Sequence, residues 1–136
     1  MKVLVVDDNR DAAMSLSMLV ELLGYETQTA YDGQEALDVA EQFNPDVVLL
    51  DLGMPRMDGF EACRRMRERP WGSRVAVIAV TGWGQAEDQR RTEAAGFDRH
   101  LLKPVAADLM VEMLAKLDTA AISPRAAAKA GFGARA

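Results

Sequence analysis

Residues Pro45-Asp46-Val47-Val48-Leu49-Leu50-Asp51-Leu52-Gly53-Met54-Pro55-Arg56-Met57-Asp58-Gly59 decide how this 136-residue chain folds. Within 46–51, the unbroken run Val47 to Leu50 describes a strand buried on both faces. An aspartate ends it, and a Gly-Met-Pro loop leads on to a helix over 58–69, with Phe60, Cys63 and Met66 three apart. A buried strand, an acidic end, a short loop and a helix form one unit.

The same unit recurs in both directions. Upstream, 2–6 is a strand of four consecutive branched residues that ends in Asp7-Asp8-Asn9. Residues 10–23 read as a helix with Met14, Leu19, Leu22 and Leu23 near one face, stopped by Gly24. Residues 25–30 alternate as a less buried strand does. A second helix opens at Asp32-Gly33, runs through Phe43 and closes at Asn44-Pro45. Downstream, 75–80 is a fourth strand, 85–95 a helix, 97–102 a fifth strand and 105–117 a final helix. Cys63, Met14, Met66 and Met110 are expected in the core. Strands of four to six residues alternating with helices predict an α/β fold, a doubly wound five-stranded parallel sheet with helices on both faces. Function in such sheets sits at the carboxyl ends of the strands.

Composition narrows the classes. Apolar residues make up 49% of the chain, enough for one domain's core and too many for disorder. The longest apolar run, Val75 to Val80, falls far short of the roughly 20 residues that span a bilayer. One cysteine forms no intrachain bridge, and no leader-like segment opens the chain, so a cytoplasmic location is expected. All 21 acidic residues and 13 of the 16 basic ones lie in 1–118, a balance of −8, whereas 119–136 carries +3. The acidic body argues against a direct grip on nucleic acid. Residues 1–118 are therefore read as the domain, and 119–136 as a flexible Ala- and Gly-rich basic tail, its alanines able to form a short helix on a partner.

The strand ends carry the chemistry. They present Asp7-Asp8, Asp51, Thr81-Gly82 and Lys103-Pro104. Each has an ordinary reading by itself: a solvated turn or cap, turn chemistry, a strand-terminal threonine, a surface lysine before a helix-opening proline. Joint placement at the ends of strands 1, 3, 4 and 5 is what those readings do not predict. Three carboxylates brought together repel by about 4 kcal/mol per close pair at an effective dielectric near 20. Such a cluster calls for a cation or for raised pKa values, and hard oxygen ligands on short loops suit Mg²⁺. Carboxylate, divalent metal, lysine and hydroxyl around one point equip a site for phosphoryl transfer to a carboxylate.

Val5-Val6-Asp7-Asp8-Asn9, the segment from Leu49 to Gly59, Thr81-Gly82 and Lys103-Pro104 together resemble the receiver domain of bacterial two-component response regulators. The resemblance covers residues 1 to about 118 and implies the flavodoxin-like sheet order 2-1-3-4-5. It implies that Asp51 accepts a phosphoryl group from a histidine kinase or histidine phosphotransfer protein. Asp8 and Asp51 match direct Mg²⁺ ligands, Asp7 a ligand acting largely through water, and Gly53 a ligand through its backbone carbonyl, with Mn²⁺ as a substitute. Lys103 matches the lysine that pairs with the acceptor, Thr81 the switch hydroxyl, and Gly82 the small position beside the incoming group. Pro104 matches a proline whose bond to Lys103 is cis. The implied role is a signalling module, not an enzyme acting on a metabolite. It switches the surface of the fourth helix, fifth strand and fifth helix toward a downstream protein, as a monomer or a transient dimer through that surface. Thr-Gly-Trp-Gly-Gln also looks like receivers of hybrid histidine kinases, so the chain is read as a single-domain regulator or such a receiver.

Two positions depart from the family pattern. His100 stands where an aromatic residue is usual, either as a side chain that turns inward and whose charge near neutral pH would bias the switch, or as an exposed edge histidine. Trp83 stands two residues after Thr81, as a shield over the phosphoryl group, a partner contact or a packed loop residue. Other readings fare worse. A haloacid-dehalogenase-like phosphatase needs a second aspartate where Gly53 stands. A flavin module needs a hydroxyl-rich phosphate loop where Asp7-Asp8 stand. A degenerate receiver would lack part of the acceptor set, which is complete here.

Overall fold

A computed structural model of the chain describes residues 1–82, 86–119 and 123–131, and the side chains within them except at 86–89, 119 and 129–131. The elements run β1 (Lys2–Val6), α1 (Arg10–Leu22), β2 (Glu26–Ala30), α2 (Gly33–Phe43), β3 (Val47–Asp51), α3 (Gly59–Arg67), β4 (Ala76–Thr81), α4 (Ala86–Ala95), β5 (Arg99–Leu102), α5 (Ala107–Thr119) and α6 (Pro124–Gly131). All strand pairs are parallel, in the order β2-β1-β3-β4-β5. Strand order reverses beside β1, so β1 and β3 are neighbours and their carboxyl ends meet. Val6 pairs with Leu50, which places Asp7 alongside Asp51.

Successive residues of the central strands go to opposite sides of the sheet, as a pleat requires. Leu4, Val6, Val48, Leu50, Val77 and Ala79 face α2 and α3; Val3, Val5, Val47, Leu49, Ile78 and Val80 face α1 and α5. Both faces are covered, which is why these strands are apolar throughout. Burial pushes the Cys63 thiol on α3 up to about 12, with the nearby Arg67 opposing, so it packs as a small apolar residue.

Capping residues set the helix starts. Asn9, Asp32 and Asp58 each accept the backbone N–H three residues on, at 3.1, 2.7 and 2.9 Å. Gly24 follows α1 at φ +97°, the left-handed turn expected of it. The buried stripe of α1 differs from the expected one. Ala13, Ser17 and Val20 face the sheet, Leu16, Leu19 and Leu23 are partly buried, and Met14 and Leu22 are 56% and 83% exposed. Small side chains let α1 lie close to β1, and that rotates the larger residues outward. Met14 is therefore no core residue, whereas Met66 and Met110 are fully buried.

The C-terminal stretch also differs from its reading as a flexible tail. Over Pro124–Gly131 it forms α6, which packs against α5 and the start of β4 with Ala127 and Ala128 buried in the α1–α5 core. Alanine's small side chain, which suggested little to bury, is what lets this helix seat closely.

Candidate functional site

Four strand ends build one acidic nest. Asp7 and Asp51 are buried and Asp8 is exposed, with one carboxylate oxygen from each lying within 4.8 Å of the others. Asp7 is held from below: its Oδ1 accepts the Asn9 N–H at 2.9 Å, and its own backbone N–H donates to Ala30 at the end of β2. Lys103, from the end of β5, donates through Nζ to Asp7 Oδ2 at 3.0 Å and to Asp51 Oδ1 at 3.1 Å. Its backbone N–H donates to the Thr81 carbonyl, so β4 and β5 deliver the lysine and the threonine as a pair. The Lys103–Pro104 peptide bond is cis.

Charge does not balance in this nest. Burial raises the Asp51 pKa above the usual carboxylate value and the Asp7 charge adds to it, while Lys103 and a Gly53 backbone hydrogen bond act the other way without cancelling the rise. Burial acts to lower the Lys103 pKa, yet its hydrogen bonds to Asp7 and Asp51 outweigh that and leave it raised. One ammonium thus bonds two of three clustered carboxylates. A hard divalent cation fits what is missing: oxygen donors on short loops, one of them exposed and open to water. Asp7, Asp8 and Asp51 would hold it.

The strand 3 loop is anchored rather than free. Leu52 and Met54 are buried, and Arg56 takes φ +63° at an exposed tip, 3.9 Å from Asp32. Gly59 shows a constraint that sequence pattern alone does not explain. A Cβ there would stand 2.5 Å from the Asp51 carbonyl oxygen and 2.8 Å from Leu52 Cα, so α3 starts against the backbone of the acceptor segment only because the residue is glycine. Gly53 and Gly82 are under no such pressure; a Cβ at either meets nothing within 4 Å. Beside the nest, a largely apolar cleft of about 530 Å³ opens between α1 and the segment that follows β5, lined by Leu16, Leu19, Val80 and Val105 and by Asp7 and Lys103.

The structure therefore brings together Asp7, Asp8, Asp51, Lys103 and Thr81, with Gly53, Gly82 and Pro104 adjoining them in sequence. His100 is apart from the nest. It pairs with Ala79 on edge strand β5, half-buried, with Nδ1 shielded from solvent. Trp83 lies outside the described residues.

A doubly wound parallel sheet of order 2-1-3-4-5 with an acidic nest at its switch point defines a CheY-like, flavodoxin-fold protein. The sequence profile of the response regulator receiver domain matches residues 3–115, and the chain belongs to that family. Chemotaxis protein CheY4 of Vibrio cholerae is 32% identical and superposes with a TM-score of 0.80 over 84% of this chain and 95% of its own. The receiver domain of sensor histidine kinase PA1611 from Pseudomonas aeruginosa, with a magnesium ion coordinated in its active-site cleft, is 30% identical with a TM-score of 0.76 over 83% and 93%. The DNA-binding dual master transcriptional regulator RpaA of Synechocystis is 34% identical over 85% of this chain. The chain spans about half of that relative's length, 47%. Among the described residues, no helix is long and apolar enough to cross a membrane. The chain is a signalling module of two-component systems, and its acidic nest fits a magnesium site.

Proposed function

We propose that this receiver takes a phosphoryl group onto Asp51 from the phosphohistidine of a histidine kinase or phosphotransfer protein. The observation that supports it is the bridge of Lys103 Nζ to Asp7 and Asp51 inside a nest with too little positive charge. An Asp51 carboxylate oxygen attacks phosphorus, the donor's P–N bond breaks, and imidazole leaves with the bonding pair. Asp7, Asp8, Asp51 and the Gly53 carbonyl would hold Mg²⁺, which would supply Lewis-acid neutralisation of negative charge at this point. Lys103 stays paired with the acceptor throughout and meets the added charge. Thr81 turns its hydroxyl toward the new oxygens, with Gly82 leaving room beside them.

Magnitudes decide how the switch is shared. One added negative charge opposite Lys103 is worth at most about 4 kcal/mol at an effective dielectric near 20, and less here because the ammonium is partly exposed. A Thr81 hydrogen bond to a charged oxygen adds about 1.5–3 kcal/mol. Inverting a 1:99 equilibrium takes about 5.5 kcal/mol, so both terms are needed. The output is the α4–β5–α5 surface, with His100 on β5 tuning it. A protein target reads that surface, in the cytoplasm, without direct nucleic-acid contact by this chain, whose first 118 residues carry −8.

Labelling with a small acyl phosphate and Mg²⁺ tests the reading. Wild type incorporates phosphoryl groups, while chelation of the metal or Asp51→Asn abolishes incorporation. Equal labelling of wild type and Asp51→Asn would remove Asp51 from its role.

A further inference from the structure

Asp98, just before β5, is fully buried and holds three donors at the end of the sheet opposite the nest. Its Oδ2 accepts from Arg67 at 2.7 Å and from the Val77 backbone N–H at 3.0 Å, and its Oδ1 accepts from Arg125 Nε on α6 at 3.0 Å. Arg67 is fixed by four further hydrogen bonds to the carbonyls of Gly72, Val75 and Gly96. Arg125 is held less: its side chain is 26% exposed, and its backbone N–H donates to the Arg74 carbonyl at 3.3 Å. The two guanidinium groups on Asp98 are therefore unequal.

From that inequality we infer that α6 is a latch, closed by Arg125 on Asp98 and able to open while the rest of the domain stays folded. An eight-residue helix does not hold itself together in water, so α6 is ordered by what it touches. Among the described residues it touches the body through Ala127, Ala128 and Arg125, which is little apolar area and one ion pair. Opening is cheap for a second reason. When Arg125 leaves, Asp98 keeps Arg67 and the Val77 N–H, and its Oδ1 meets the water that enters, so no buried charge is stranded. Reclosing is easy, because Ser123 caps the helix through Ala126 and Pro124 suits its first turn. Closed, α6 clamps the segment before β4, at Arg74, to the start of β5, at Asp98. Open, it uncovers the lower ends of α5 and β4. The segment lies beyond residues 3–115, outside the match to the receiver domain. It also rests on no part of the phosphoryl chemistry.

Hydrogen exchange on the full chain tests the inference. In wild type, the Ala127 and Ala128 amides exchange more slowly than in a free peptide but at least about tenfold faster than Val5 and Leu49, the mark of local opening. Arg125→Ala raises their exchange about tenfold and leaves Val5 and Leu49 unchanged. Ala128→Glu, which removes the seating without touching the ion pair, does the same and serves if Arg125→Ala disturbs the whole fold. Three results overturn the latch: α6 amides exchanging in step with Val5 and Leu49, α6 amides with no protection in wild type, or both variants leaving α6 exchange unaltered.

Discussion

The two ends of the sheet solve the same problem in opposite ways. At the carboxyl ends, Asp7 and Asp51 share one lysine, with the Asp8 carboxylate close beside them. At the amino ends, one carboxylate, Asp98, has two guanidinium groups and a backbone N–H. Burial of charge demands partners in both places. The lower end supplies them from the chain itself and becomes a structural joint, whereas the upper end falls short and so remains available to an ion and an incoming phosphoryl group. A protein's unmet electrostatic demand is where its chemistry is to be sought, and its satisfied demand is where its stability lies.

That contrast can be broken most forcefully at Asp51. Asp51→Asn is expected to cut phosphoryl incorporation by at least about 100-fold, read by labelling with an acyl phosphate, because an amide oxygen is a poor nucleophile. The matching change below has an effect on stability and not on chemistry. Arg67→Ala leaves three carbonyls without their donor and Asp98 with only the Val77 N–H and the partly exposed Arg125. It should cost about 3–5 kcal/mol, measured by urea unfolding.

A third prediction follows from the raised pKa of Asp51, whose cause is first burial and then Asp7. A carboxyl group that holds its proton more tightly folded than unfolded favours the fold at low pH. That contribution is lost as pH rises through the folded-state value. Without metal at neutral pH, Asp51→Asn should therefore stabilise the fold, a gain that disappears in acid, measured as a Tm difference across pH. Mg²⁺ reverses the order. At 100 times its Kd it should stabilise wild type by about 2.7 kcal/mol at neutral pH and the Asn variant by much less. The last effect is expected at Thr81. Thr81→Ala should leave labelling intact and weaken the phosphorylation-driven change of the α4–β5–α5 surface by about 1.5–3 kcal/mol, read by partner binding of the labelled form. Full activation of that variant would refute the shared-switch argument.

The upper end was legible in the sequence and the lower end was not. Strand ends are marked by an abrupt change from branched apolar residues to Asp, Thr-Gly or Lys-Pro, and the topology of a parallel sheet gathers those ends on one side. Arg67, Asp98 and Arg125 carry no such mark. Each is one charged residue among many, and their meeting depends on α3, the β5 approach and α6 converging across 27 and 31 positions of chain. Met14 on α1 was misplaced for a related reason, since apolar spacing suits more than one helix rotation and the closeness of Ala13 and Ser17 to the sheet selects among them.

What the amino-acid sequence determined alone was local and periodic: alternating buried strands and capped helices, five times, with acidic and hydroxyl residues where the strands stop. Those features depend on near neighbours, whose interactions a linear pattern records. Tertiary structure alone decided which charges meet. That choice set Lys103 between Asp7 and Asp51, pressed Gly59 against the acceptor's backbone, and docked α6 on Asp98. Distances between residues far apart in the chain are consequences of packing the whole, and electrostatics at a few ångströms is too steep to be read without them.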